Sequence, residues 1–167
     1  IGLERRQPDG STEPVAGVVY APVSDEMFWA EKGSGAFVND RRLRVSARRD
    51  MTEAMFATGI PFAASSPGTR QSFAATLALL MPRIAGVRRF GAAALDLAWV
   101  AAGRFDGFWE LHLKPWDIAA GLVIVREAGG FATDPEGGDA RANGDVVAAN
   151  PHLHKQLCAA VREGIAL

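Results

Sequence analysis

The 167 residues contain one cysteine, Cys158, so no disulfide can form within the chain and the fold must rest on packing alone. A lone thiol suits a reducing compartment and reads here as a small packed side chain. Net charge is also scarce. Eighteen basic side chains against nineteen acidic ones leave a formal charge of −1, which excludes a global field that would draw nucleic acid or an anionic membrane. An anionic substrate has to be gripped locally. No stretch of 18 apolar residues and no signal-peptide pattern occurs, so no membrane partner is expected and the cytoplasm is the expected location. Internal repeats and low-complexity segments are absent too. Residue 1 is Ile, and "IGLERR" reads as a strand entered partway, as in a fragment or a trimmed product.

What is present is an ordinary globular composition, 49% hydrophobic and 22% charged, enough for one compact domain or for half of a larger one. Residues 1–46 carry strand signals: "VAGVVYAP" (15–22), "EMFWAEKG" (26–33) and "GAFVNDRRLRVS" (35–46), broken by turn residues, with "QPDGST" (7–12) as a further turn. These predict a meander of antiparallel strands forming one unit, a first sheet. Gly33 and Gly35 are read as a bend and not a phosphate loop, because "GSGAFV" runs into a strand and offers no helix N-terminus to an anion.

Residues 47–167 read as a second, α/β part. "EAMFATG" (53–59) is a buried strand. "TRQSFAATLALLMPRIAG" (69–86) is a helix with Phe73, Leu77, Leu80 and Ile84 on one face. A short strand "VRRFG" (87–91), a helix "AAALDLAWVAAG" (92–103) and a strand "RFDGFWEL" (104–111) follow. Then come a helix "WDIAAGLVIVREAGG" (116–130), a strand "DVVAAN" (145–150) and a last helix near 151–163. The one Asp-Pro, in "DPEGGD" (134–139), reads as a turn.

Asp117 is the residue that asks for a function. Lys114 is biased to extended backbone by Pro115, and Pro115 has a φ suited to helix entry, so Trp116 and Asp117 fall in the first turn of a helix. Its carboxylate can cap free amides and complement the helix dipole, or serve as a hard oxygen ligand for Mg²⁺. Both readings stay open on these residues alone. Asp96 and Asp106 are taken as structural, Trp99, Phe108, Trp109 and Trp116 as core, and His112 as a solvent-edge or packing residue. His152 and His154, two apart, make a weak zinc pair. Arg88 and Arg89 could grip a phosphate or join surface ion pairs.

Four blocks then converge on one family. "KPWDIAAGLVIVREAGG" (114–130), "VRRFGAAALDLAWVAAGRFDGFWE" (87–110), "GVVYAPVSDEMFWAEKGSGAFVNDRRLRVS" (17–46) and "ATGIPF" (57–62) resemble, in order, the inositol monophosphatase family, in its bacterial inositol-1-monophosphatase form. The resemblance implies a layered α/β/α/β/α sandwich, of which this chain supplies part of the first sheet and the C-terminal α/β half. It implies a Mg²⁺-dependent phosphomonoesterase, usually a homodimer, acting on a small-molecule phosphate monoester. The aspartate matching Asp117 is there a metal ligand that also touches a substrate hydroxyl. The glutamate matching Glu110 holds a sugar or inositol hydroxyl. Gly91, Ala92 and Ala93 match a substrate-contacting turn.

The family's other metal ligands, from a Gly-Glu-Glu type segment and an Asp-Pro-X-Asp-Gly-Thr motif, are not in this sequence. One aspartate supplies only part of a site for in-line attack by a metal-held water, so the chain alone is expected to be a poor catalyst. Two function classes follow: a hydrolase of inositol or related polyol phosphates, and a catalytically incomplete unit that dimerises or binds a partner. Histidinol phosphate, fructose bisphosphate and nucleotide phosphates compete as substrates within the first.

Overall fold

A computed structural model describes residues 1–62 and 64–167. The first five strands, β1 (Gly2–Arg6), β2 (Thr12–Ala21), β3 (Glu26–Glu31), β4 (Gly35–Val38) and β5 (Arg41–Arg42), form an antiparallel sheet in chain order. The run 35–46, expected as one strand, is instead a hairpin. Asn39 takes a positive φ of 49° at its turn, and its side chain accepts from the Met27 amide at 2.9 Å, which fixes the reversal. Every residue of β1 is exposed, and the strand lies at the sheet's edge.

The second sheet is mixed, in the order β7-β6-β8-β10-β9. Its strands are β6 (Met55–Thr58), β7 (Gly86–Arg88), β8 (Gly107–Glu110), β9 (Phe131–Thr133) and β10 (Val146–Ala149). Both faces are covered. Phe108, Val146 and Ala148 point into one apolar cluster, while Trp109, Val147 and Ala149 point into another. Burial on both sides removes the polar alternation, which is why "FDGFWE" and "DVVAAN" read as continuous apolar runs. The three-residue β9 carries no such signal and went unseen in the sequence.

Four helices complete the layers: α1 (Pro67–Leu80), α2 (Ala93–Ala101), α3 (Pro115–Glu127) and α4 (His154–Ala166). α2 and α3 lie between the sheets, and α1 and α4 cover the far face of the second sheet. α3 is hydrophobic almost all round, with Ile118 and Ala120 through Val125 buried, as a helix sandwiched on both sides must be. It approaches the first sheet closely because a Cβ on Gly17 would lie 2.7 Å from the Ala120 Cα. α1 stops at Leu80, six residues before the expected end, since Pro82 cannot continue it; a 3-10 turn over Met81–Arg83 takes over. The α/β class follows from these layers. Gly33 and Gly35 do form a bend, and their amides donate at 2.8 Å to the two carboxylate oxygens of Glu127 at the end of α3.

One side chain departs from the sequence reading. Trp116 is 79% exposed, not core, because it sits on the outer side of the first turn of α3. Asp106, 5% exposed, accepts from Ser46 Oγ at 2.6 Å, from Arg48 Nε at 3.2 Å and from the Met55 amide at 2.8 Å. "DPEGGD" is a turn closed by Asp134, whose Oδ1 accepts from the amides of Glu136 and Gly138. His154 Nε2 lies 3.1 Å from Thr133 Oγ1 and 3.2 Å from the Val147 carbonyl oxygen, and Cys158 is buried beside it, where burial pushes its thiol up.

Candidate active-site cleft

A cleft of about 380 Å³ opens where β6 and β8 end, within the range of small-molecule sites. Open α/β sheets place ligands outside the carboxyl ends of their strands, and both β6 and β8 point their carboxyl ends here. Gly59, just past β6, Glu110, the last residue of β8, and Asp117, in the first turn of α3, all line it. Phe73, Leu111 and Leu113 supply apolar wall.

The link from β8 to α3 is short and pinned. His112 holds a positive φ of 62°; its amide donates to Asp145 Oδ1 at 2.9 Å and its Nδ1 lies 3.4 Å from the same oxygen. The Leu113 amide donates to the Gly144 carbonyl at 2.8 Å. Lys114 is extended and Pro115 opens the helix, as the sequence requires. Asp117 Oδ2 accepts from the Lys114 amide at 3.0 Å, and the Asp117 amide donates to the Lys114 carbonyl at 2.9 Å. This cap is worth about 1 kcal/mol. It commits one carboxylate oxygen and leaves Oδ1 with lone pairs for a ligand, so capping and ligation are compatible.

Glu110 is half-buried and its carboxyl is pushed up to about 7, first by desolvation, then by the negative charges of Asp96 and Asp117; Arg89 pulls the other way. Asp96 is the residue that sequence reasoning undervalued. It is fully buried on α2, neither carboxylate oxygen has a hydrogen-bond partner among the described residues, and desolvation raises it to about 7 against the opposing charge of Arg89. The available signal was a single acid within "AAALDLAWVAA". Asp96 does not line the cleft but stands close enough for its charge to reach Glu110.

The expected residues are only partly brought together. Glu110 and Asp117 share the cleft. Gly91, with φ 82°, Ala92 and Ala93 form the turn into α2 and are not among its lining residues. The Arg89 guanidinium folds against that turn, 3.3 Å from where a Cβ on Gly91 would stand, and Arg88 donates to the Val87 carbonyl at 3.0 Å. Among the described residues, no three His, Cys, Asp or Glu side chains come together in a way that could hold a metal ion. Asp117 offers a suitable oxygen, but this donor set does not build a magnesium centre by itself.

A model of the inositol monophosphatase family matches residues 10–166. The chain belongs to the inositol monophosphatase family. It is 50% identical over 151 residues to an inositol-1-monophosphatase of Caulobacter vibrioides, an alignment covering 89% of this chain and 58% of the relative. It is 46% identical over 155 residues to the Nus factor SuhB of Escherichia coli, covering 92% and 57%. Among solved structures, the extragenic suppressor protein suhB of Bartonella henselae superposes with a TM-score of 0.86 at 52% identity, covering 91% of this chain and 58% of that one. The chain thus spans somewhat under three fifths of the length of the curated relatives it matches.

Proposed function

We propose that this chain carries the alcohol-binding side of a phosphomonoesterase site, in a Mg²⁺-dependent protein that hydrolyses inositol monophosphate or a related polyol phosphate. The observation that supports this most is the convergence of Glu110 and Asp117 on one cleft at the carboxyl ends of β6 and β8. A polyol needs hydrogen-bond partners for several hydroxyls. Glu110, poised near neutrality, accepts two such bonds as a carboxylate or donates one as an acid. Asp117 would be one ligand of the ion, the remaining ligands lying outside these residues. When bound, such an ion neutralises phosphoryl oxygens and makes its water more acidic. Magnesium, dimerisation and the choice among inositol, histidinol, fructose and nucleotide phosphates all stand as parts of this proposal.

The test is phosphate release from inositol 1-phosphate, with and without Mg²⁺, by the whole protein containing this chain. Asp117→Asn is expected to cost at least about 100-fold, the upper end of what losing a mere supporting partner of a metal ligand costs. Unchanged turnover in that variant rejects the reading.

A second reading is a non-catalytic binding unit, supported by the exposed edge strand β1 and by a relative named as a Nus factor. It predicts association of the protein with turnover absent in the presence and absence of Mg²⁺.

A further inference from the structure

We propose that Gly59 is the positioning residue for Glu110: the space left by its missing side chain is the space the Glu110 carboxylate fills, and selectivity for the alcohol half of the ester is set there. This rests on the proposed role of Glu110 as the hydroxyl-binding acid. The parallel register pairs Phe56 with Gly107, Ala57 with Phe108 and Thr58 with Trp109, which carries Gly59 to the side of Glu110 at the next step. The Thr58 hydroxyl donates to the Trp109 carbonyl at 2.7 Å, immediately before both residues, so neither backbone can retreat from the other. A Cβ placed on Gly59 would fall within the Glu110 carboxyl group, against Cδ and both oxygens. The φ of Gly59 lies outside the left-handed region, so space and not backbone conformation calls for glycine.

A side chain at 59 must therefore swing the Glu110 carboxylate out of its place. The negative charge of Asp117 opposes a turn toward that residue, so the carboxylate moves further into the open cleft, where a substrate hydroxyl would stand. That movement spoils the hydroxyl contact and leaves the phosphoryl end untouched.

A double-mutant cycle in the whole protein tests the contact without any need for activity. Gly59→Ala is expected to lower the unfolding midpoint of the whole protein by about 2 °C. In a Glu110→Ala background the same change should cost less than a quarter of that. Equal cost in both backgrounds overturns the proposal. Should Gly59→Ala alone fail to fold, rescue by Glu110→Ala becomes the readout, and failure of rescue overturns it equally.

The selectivity claim is read from kcat/KM on inositol 1-phosphate and on p-nitrophenyl phosphate, which has no ring hydroxyls. Gly59→Ala should lower the first by about tenfold, the scale of one misplaced contact, and the second by less than about twofold. Equal losses on both esters overturn the positioning role. An unmodified protein that hydrolyses neither ester rejects the proposed function and the selectivity claim with it, while the unfolding cycle still decides the contact.

Discussion

The two ends of the parallel pair β6 and β8 are closed by acids living under opposite conditions. At the amino end, Asp106 is buried among donors: the Ser46 hydroxyl, the Arg48 guanidinium and the Met55 amide. Asn150 extends the same knot, its Nδ2 donating to Ser46 Oγ and the Arg48 carbonyl at 2.9 Å. At the carboxyl end, the charges of Asp96 and Asp117 both oppose ionisation of Glu110 while Arg89 pulls the other way, and the Asp96 carboxylate has no hydrogen-bond partner among the described residues. One end is satisfied and locks the strands to the first sheet's exit segment. The other is acidic and under-satisfied, the condition of a surface awaiting cationic or hydroxyl-bearing groups.

That contrast breaks most easily at the satisfied end. Asp106→Ala strands a guanidinium, a hydroxyl and a buried amide, and should cost about 3 kcal/mol in urea unfolding, less than a fully buried pair because Arg48 is part-exposed. A loss under about 1 kcal/mol would mean that the knot is ornamental. The under-satisfied end should respond with the opposite sign. Asp96 is raised from the ordinary 3.8 to about 7 in the folded state, so the unfolded chain loses its proton first. Stability from this group is therefore intact below the unfolded value, declines as pH climbs, and levels off above about 7. Asp96→Asn should match the parent near pH 4 and exceed it by on the order of 2 kcal/mol at pH 8. No widening of that gap between the two pH values would show that Asp96 finds a partner in solution. The smallest effect belongs to a tie within the carboxyl end itself. Thr58→Val removes the hydroxyl that bonds the Trp109 carbonyl and should cost about 1 kcal/mol, readable as a shift of the thermal midpoint.

How much of this could be read in the sequence depends on range. Asp117 in the first turn of α3 and Glu110 at a strand's end were both legible, since Pro115, the residue before it and the apolar run after it act locally. The Gly59 contact was not legible, because it depends on the register of two strands some fifty residues apart in the chain. Burial of Asp96 was hidden for a related reason: an acid in a short apolar helix tells nothing of which face the neighbouring sheet covers. The exposure of Trp116 misled in the other direction, since residue type argues for core while its place in the helix turns it outward. The hairpin within 35–46 was signalled by Asn39 and Asp40, but the surrounding β-rich run masked it.

The bend before β4 grips Glu127 with two amides, and Asp117 lies ten residues upstream on the same rigid rod, about 15 Å away along its axis. The first sheet, which gives the cleft no lining side chain among the described residues, nevertheless anchors the far end of the helix that carries the cleft's aspartate. A slip at exposed Gly33 or buried Gly35 would be felt as axial play at Asp117, so the depth of that carboxylate is calibrated from the far end of its own helix.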